Sequence, residues 1–115
     1  VSATYNIVCE QATTFNFQFI IKNDGTPWNI TNYSATMTVR PFLGASTTLL
    51  VATTQNGKIT LDGPNGTVTV NLSATVTGAL VTGRFVYDLI LDSGSVITRV
   101  LEGQFIVTGA VTTNV

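Results

Sequence analysis

Phe15-Asn16-Phe17-Gln18-Phe19-Ile20-Ile21-Lys22, running directly into Asn23-Asp24-Gly25-Thr26-Pro27, sets the pattern that the remainder of the chain repeats. Phe15, Phe17, Phe19 and Ile21 recur at every second position, with Asn16, Gln18 and Lys22 among the residues between, which is the period of a strand with one buried face. The five residues that follow are turn chemistry, because Gly tolerates positive φ and Pro cannot donate to a central ladder.

The same grammar recurs along the chain. Ala35, Met37 and Val39 alternate with Thr36, Thr38 and Arg40 until Pro41, and residues 42–48 read as a loop. Leu49 to Thr53 forms a short strand, and Gln55-Asn56-Gly57 signals a hairpin into Lys58-Ile59-Thr60-Leu61. Asp62-Gly63-Pro64-Asn65-Gly66 turns the chain into the alternation of Val68, Val70 and Leu72. Ser73 to Leu80 breaks the two-residue period and suits one helical turn capped by Ser73 or Thr75. Phe85, Tyr87, Leu89 and Leu91 share a face, Asp92-Ser93-Gly94-Ser95 closes a hairpin, and in the final run from Val96 to Thr108 Gly103 marks a bulge. If these last two strands pair, Asp88 falls near Arg99.

Seven to eight short antiparallel strands in 115 residues read as an all-β immunoglobulin-like sandwich, with a small barrel as the alternative. One domain over residues 1–108 and a tail over 109–115 are expected. The tail lacks charge, and Ala110, Val111 and Val115 with β-branched Thr112 and Thr113 suit a strand added to a neighbour's open edge.

Composition narrows the chemistry. Histidine is absent and Cys9 stands alone, so neither an internal disulfide nor the usual imidazole and thiolate metal sites are expected, and no cofactor is implied. A net charge of −1 with no basic cluster argues against nucleic acid. No apolar run reaches the roughly 18 to 20 residues of a membrane span. The first residues lack a charged leader followed by an apolar segment, so synthesis in the cytoplasm is expected.

No histidine is present to act as a base for Ser or Thr, and Cys9, beside Ile7 and Val8, reads as a buried thiol. Asp24, Asp62 and Asp92 sit beside turn residues, where their side chains bond the local backbone, so an enzyme is not expected. The sequons at Asn29, Asn32, Asn65 and Asn71 follow from a sequence rich in Asn, Thr and Ser. Trp28 and Tyr33 flank a polar stretch and read first as core plugs, second as an interface anchor or a sugar platform. Val111 and Val115 complete the candidate interface residues. Only 10% of residues are charged, which leaves a surface suited to association.

The stretch from Asp24 to Tyr33 resembles a turn of the type DGTPWxLTGY in small immunoglobulin-like domains of tailed-phage virions, with Asn32 in place of the Gly. Val39-Arg40-Pro41, Ile59 to Gly63, Gly83 to Leu89 and Leu101 to Val107 resemble the same family, which includes the N-terminal domain of upper baseplate proteins. The resemblance implies a virion protein of tail or baseplate, made in the bacterial host cytoplasm, whose partners are other virion proteins or copies of itself. A head decoration protein is the nearest alternative, and a host-surface carbohydrate-binding module is the alternative of another class.

Overall fold

Each alternating run becomes a strand in the computed structural model, which describes residues 3–23 and 25–109. The strands are β1 (Ala3–Thr4), β2 (Ile7–Glu10), β3 (Phe15–Ile20), β4 (Lys22–Asn23), β5 (Thr26–Pro27), β6 (Ser34–Arg40), β7 (Leu50–Thr53), β8 (Ile59–Asp62), β9 (Thr67–Leu72), β10 (Gly83–Asp92) and β11 (Ile97–Thr108). A single helical turn, α1 (Ala74–Gly78), joins β9 to β10. Ser73 caps it, as its sequence position suggests: the hydroxyl accepts from the Val76 N–H at 3.2 Å.

Two sheets form an immunoglobulin-like sandwich. The larger has the order β1-β11-β10-β6-β7, with β2 also on β11, and the smaller has the order β3-β9-β8. In immunoglobulin terms β6, β10 and β11 stand as C, F and G with β7 as C′, while β3, β9 and β8 stand as B, E and D. The place of strand A beside B is empty among the described residues.

Side-chain alternation places the core between the sheets. Val68, Val70 and Leu72 from one layer meet Met37, Val39, Leu89, Leu91 and Phe105 from the other, all essentially inaccessible to water. No disulfide pins this core. Phe15, Phe17 and Phe19 are only half-buried, because β3 lies at the edge of its sheet.

Three features differ from the sequence reading. The first is the pairing of β1 and β2 with β11, which is parallel rather than antiparallel. The second is the Gln55-Asn56-Gly57 turn, which joins strands in different sheets instead of closing a hairpin. Asn56 makes this workable: its carbonyl oxygen accepts from the Thr53 and Lys58 N–H groups, both at 3.0 Å, and its amide donates to the Val51 carbonyl at 3.1 Å. The third is the bulge in β11, which falls at Val100, between the Leu89–Leu101 and Ile90–Arg99 pairs.

Gly103, read from sequence as the bulge, serves a close crossing instead. A Cβ there would lie 2.2 Å from the Tyr5 carbonyl oxygen. The chain jogs between β1 and β2 over this glycine, and the Tyr87 hydroxyl, on the residue paired with Gly103, donates to that same oxygen at 2.6 Å. The Asn6 side chain accepts from the Gln104 N–H at 3.1 Å and completes the jog.

Two substitutions separate the parts of this crossing. Tyr87→Phe leaves the Tyr5 carbonyl without its donor and lowers stability by about 1 to 3 kcal/mol. Tyr87→Ala, which also empties core volume, costs about 3 to 5 kcal/mol. Gly103→Ala releases the N-terminal strands while leaving the sandwich folded. Chemical denaturation reads the first two, and limited proteolysis within residues 3–10 reads the third.

Candidate functional site

The described residues hold no cluster of three or more His, Cys, Asp or Glu side chains that could bind a metal. The Asp92 carboxylate accepts from the Gly94 N–H at 2.8 Å, and the Asp62 carboxylate accepts from the Asn65 amide at 2.9 Å, so both serve turns. Asp24 lies outside the described residues. Asp88 meets Arg99 at 3.2 Å on the exposed face, diagonally across the ladder, since Asp88 is paired with Glu102 and Arg99 with Ile90; such an ion pair contributes about 0 to 1 kcal/mol. Cys9 is a free, fully buried thiol; desolvation, with Glu10 nearby, pushes its pKa up to about 11.

Trp28 and Tyr33 are half-buried against the core, where the first reading of them placed their rings. The rings meet edge to face, with centroids 5.7 Å apart at 68°, so the pair presents no flat shared platform for a sugar. Backbone bonds fix the segment: the Trp28 N–H donates to the Ile21 carbonyl and the Ile30 N–H to the Gly63 carbonyl, both at 2.8 Å. The Asn29 side chain accepts from the Thr31 N–H at 3.0 Å and closes a local turn. Asn32 has φ +69°, a left-handed conformation that Gly and Asn adopt most readily. Val111 and Val115 lie outside the described residues.

A groove of about 640 Å³ lies between the two sheets on the side where the place of strand A is empty among the described residues. Tyr5 from the jog, Phe17 and Phe19 from β3, Trp28, and Val100 and Leu101 from β11 line it. Tyr5 and Phe17 stack with centroids 5.2 Å apart, and Phe17 meets Phe19 at 5.5 Å. Lys22 is the one charged residue of the lining. Sequence reasoning singled out Trp28 here but treated the phenylalanines as core. Nothing in a single alternating strand tells whether both of its edges are paired.

Hydrogen-bond parity shows what the groove's rim offers. The Ile21 N–H donates to the Gly66 carbonyl and the Asn71 N–H to the Lys58 carbonyl, both at 2.8 Å. In an antiparallel ladder bonded residues alternate, so Phe15, Phe17 and Phe19 bond to β9 while Asn16, Gln18 and Ile20 turn their N–H and C=O groups to the open edge. Further apolar exposure lies at the β6–β7 loop, where Phe42 is 63% and Leu43 92% exposed, and at the β10–β11 hairpin, with Val96 at 60% and Ile97 at 65%.

Neither a protein family nor a curated protein matches the chain in sequence. Among solved structures it is similar to a marsupial T cell receptor, at 15% identity and a TM-score of 0.50, over 96% of this chain and 52% of that one. The chain thus spans about half the length of that receptor chain. The likeness shows an immunoglobulin-type fold and carries the architectural part of the sequence resemblance.

Cys9 provides a check on burial. Its thiol resists alkylation in the native protein and reacts on denaturation. Because its pKa is raised by folding, the associated stability is complete below the unfolded value of 9.0 and is lost as pH rises toward about 11. Denaturation midpoints of wild type and Cys9→Ala measured from pH 8 upward differ progressively if this assignment holds; parallel curves contradict it.

Proposed function

We propose that this chain is a non-enzymatic structural protein of a bacteriophage virion, placed in the tail or baseplate, and that it works through protein–protein contacts. The source and location rest on the resemblance carried by Asp24 to Tyr33, Val39 to Pro41 and the later segments. The observation that carries the mode of action is the surface itself. Threonine recurs on its outward strand faces, charged side chains are few, and apolar residues stand exposed at both ends of the sandwich, Phe42 and Leu43 at one and Val96 and Ile97 at the other.

Such a surface suits fixed neighbours. Apolar side chains exposed to this degree favour burial in an assembly, and a weakly charged surface opposes association very little. Asp62 and Asp92 serve turns, Asp88 serves an ion pair, and the aromatic pair at Trp28 and Tyr33 is turned edge to face, so the geometry favours assembly over hydrolysis or glycan stacking.

Quantitative mass spectrometry of gradient-purified particles of the encoding phage tests the reading. A few copies per particle are expected for tail or baseplate. Copies in the hundreds would move the protein to the head, and absence from particles would overturn the virion assignment.

A further inference from the structure

The open edge of β3 and the groove beside it form a vacant strand site, and we propose that residues 110–115 of a second copy of this chain fill it. The inference stands on the edge, the groove and the sequence of that segment, independently of where the protein works.

Three observations choose the occupant. The first is the rim: Asn16, Gln18 and Ile20 present main-chain donors and acceptors with no partner among the described residues. An edge of this kind is a template for one more strand. The second is the floor, because half-buried Phe17, Phe19 and Trp28 and the exposed Tyr5 offer aromatic faces that β-branched side chains cover well. In Ala110-Val111-Thr112-Thr113-Asn114-Val115, the alternate set Val111, Thr113 and Val115 is wholly β-branched, and the segment carries no charged side chain to desolvate.

The third observation is reach, and it selects a second copy over the same chain. β11 runs away from the groove: Leu101 lines the groove, whereas Thr108 lies seven residues further on, about 23 Å at roughly 3.3 Å per residue. Fully extended, six residues span at most about 20 to 22 Å. Phe15 meets Phe105, which sets the Asn16 end of the edge near Thr108, but the Ile20 end lies beside Leu101; residues 110–115 of the same chain, which must also cross the roughly 10 Å between the sheets, cannot run alongside the whole edge. A neighbouring copy has no such constraint. The added strand takes the place of strand A, with main-chain bonds to β3 supplying affinity and the aromatic floor supplying selectivity. Reciprocal exchange gives a closed dimer, whereas one-way donation gives an open chain of copies.

Sedimentation velocity over a concentration series tests the proposal, using the full chain and a variant lacking residues 109–115. The full chain associates with concentration, and the truncated variant is monomeric with an unchanged melting temperature. A fluorescent peptide Gly109–Val115 binds the truncated variant. Gln18→Pro, which removes an outward N–H and leaves the β9 ladder intact, weakens that binding about tenfold or more. Should Gln18→Pro fail to fold, amide shifts in the truncated variant provide the second readout, and peptide addition moves Gln18 and Ile20 most. A full chain that stays monomeric to about 1 mM overturns the proposal. So does a truncated variant that associates like the full chain, a peptide that does not bind, or shifts confined to other strands.

Discussion

One backbone crossing sets the layout of this sandwich. The N-terminal strand passes over Gly103 so closely that no side chain fits there, and the Tyr87 hydroxyl holds the Tyr5 carbonyl at the crossing. These contacts commit the first residues to β11. In an immunoglobulin-type arrangement the alternative for an N-terminal strand is the edge of strand B, here β3. Because the chain takes the first course, β3 has one bonded edge among the described residues, its phenylalanines are left half-covered, and a groove opens between the layers.

The core tolerates this because it does not depend on covalent pinning. A single cysteine rules out the inter-sheet disulfide of antibody domains, and the space between the layers is filled by aliphatic side chains around Phe105 and Tyr87. Tyr87 therefore has two roles. Its ring belongs to the core, meeting Phe105 edge to face at 6.4 Å, while its hydroxyl fixes the N-terminal strand. Burial, with Tyr5 nearby, raises its pKa, which keeps the hydroxyl a donor over the ordinary pH range.

Much of this was legible in the sequence because it is local. Alternation located β3, β6, β9 and β10, Ser73 was one of two residues marked as the cap of α1, and the Asp92 to Ser95 turn announced the hairpin that brings Asp88 near Arg99, although Asp88 pairs with Glu102 and Arg99 with Ile90. What was not legible depends on residues far apart in the chain. Ala3–Thr4 and Ile7–Glu10 are too short to declare a partner, and their parallel pairing with β11 spans almost the whole sequence. Asn56-Gly57 carries hairpin chemistry, yet the Asn56 side chain takes over the bonds that a facing strand would make, and the next strand departs to the other sheet. Trp28 was singled out as an aromatic near a loop, but its partners in the groove, Tyr5, Phe17 and Phe19, come together only when the N-terminal strand is in place.

The central claim, that β3 keeps one edge open because the first strand is held on β11, is tested most directly by hydrogen exchange at single-residue resolution, on the full chain at low micromolar concentration. Protection should alternate along β3, with the amides of Phe17 and Phe19 slow and those of Gln18 and Ile20 faster by about a hundredfold or more, while the Tyr5 amide, bonded to the Glu102 carbonyl at 2.8 Å, is protected. Uniform protection from Asn16 to Ile20 together with a fast Tyr5 amide would mean that the first strand lies against β3, and would contradict the account.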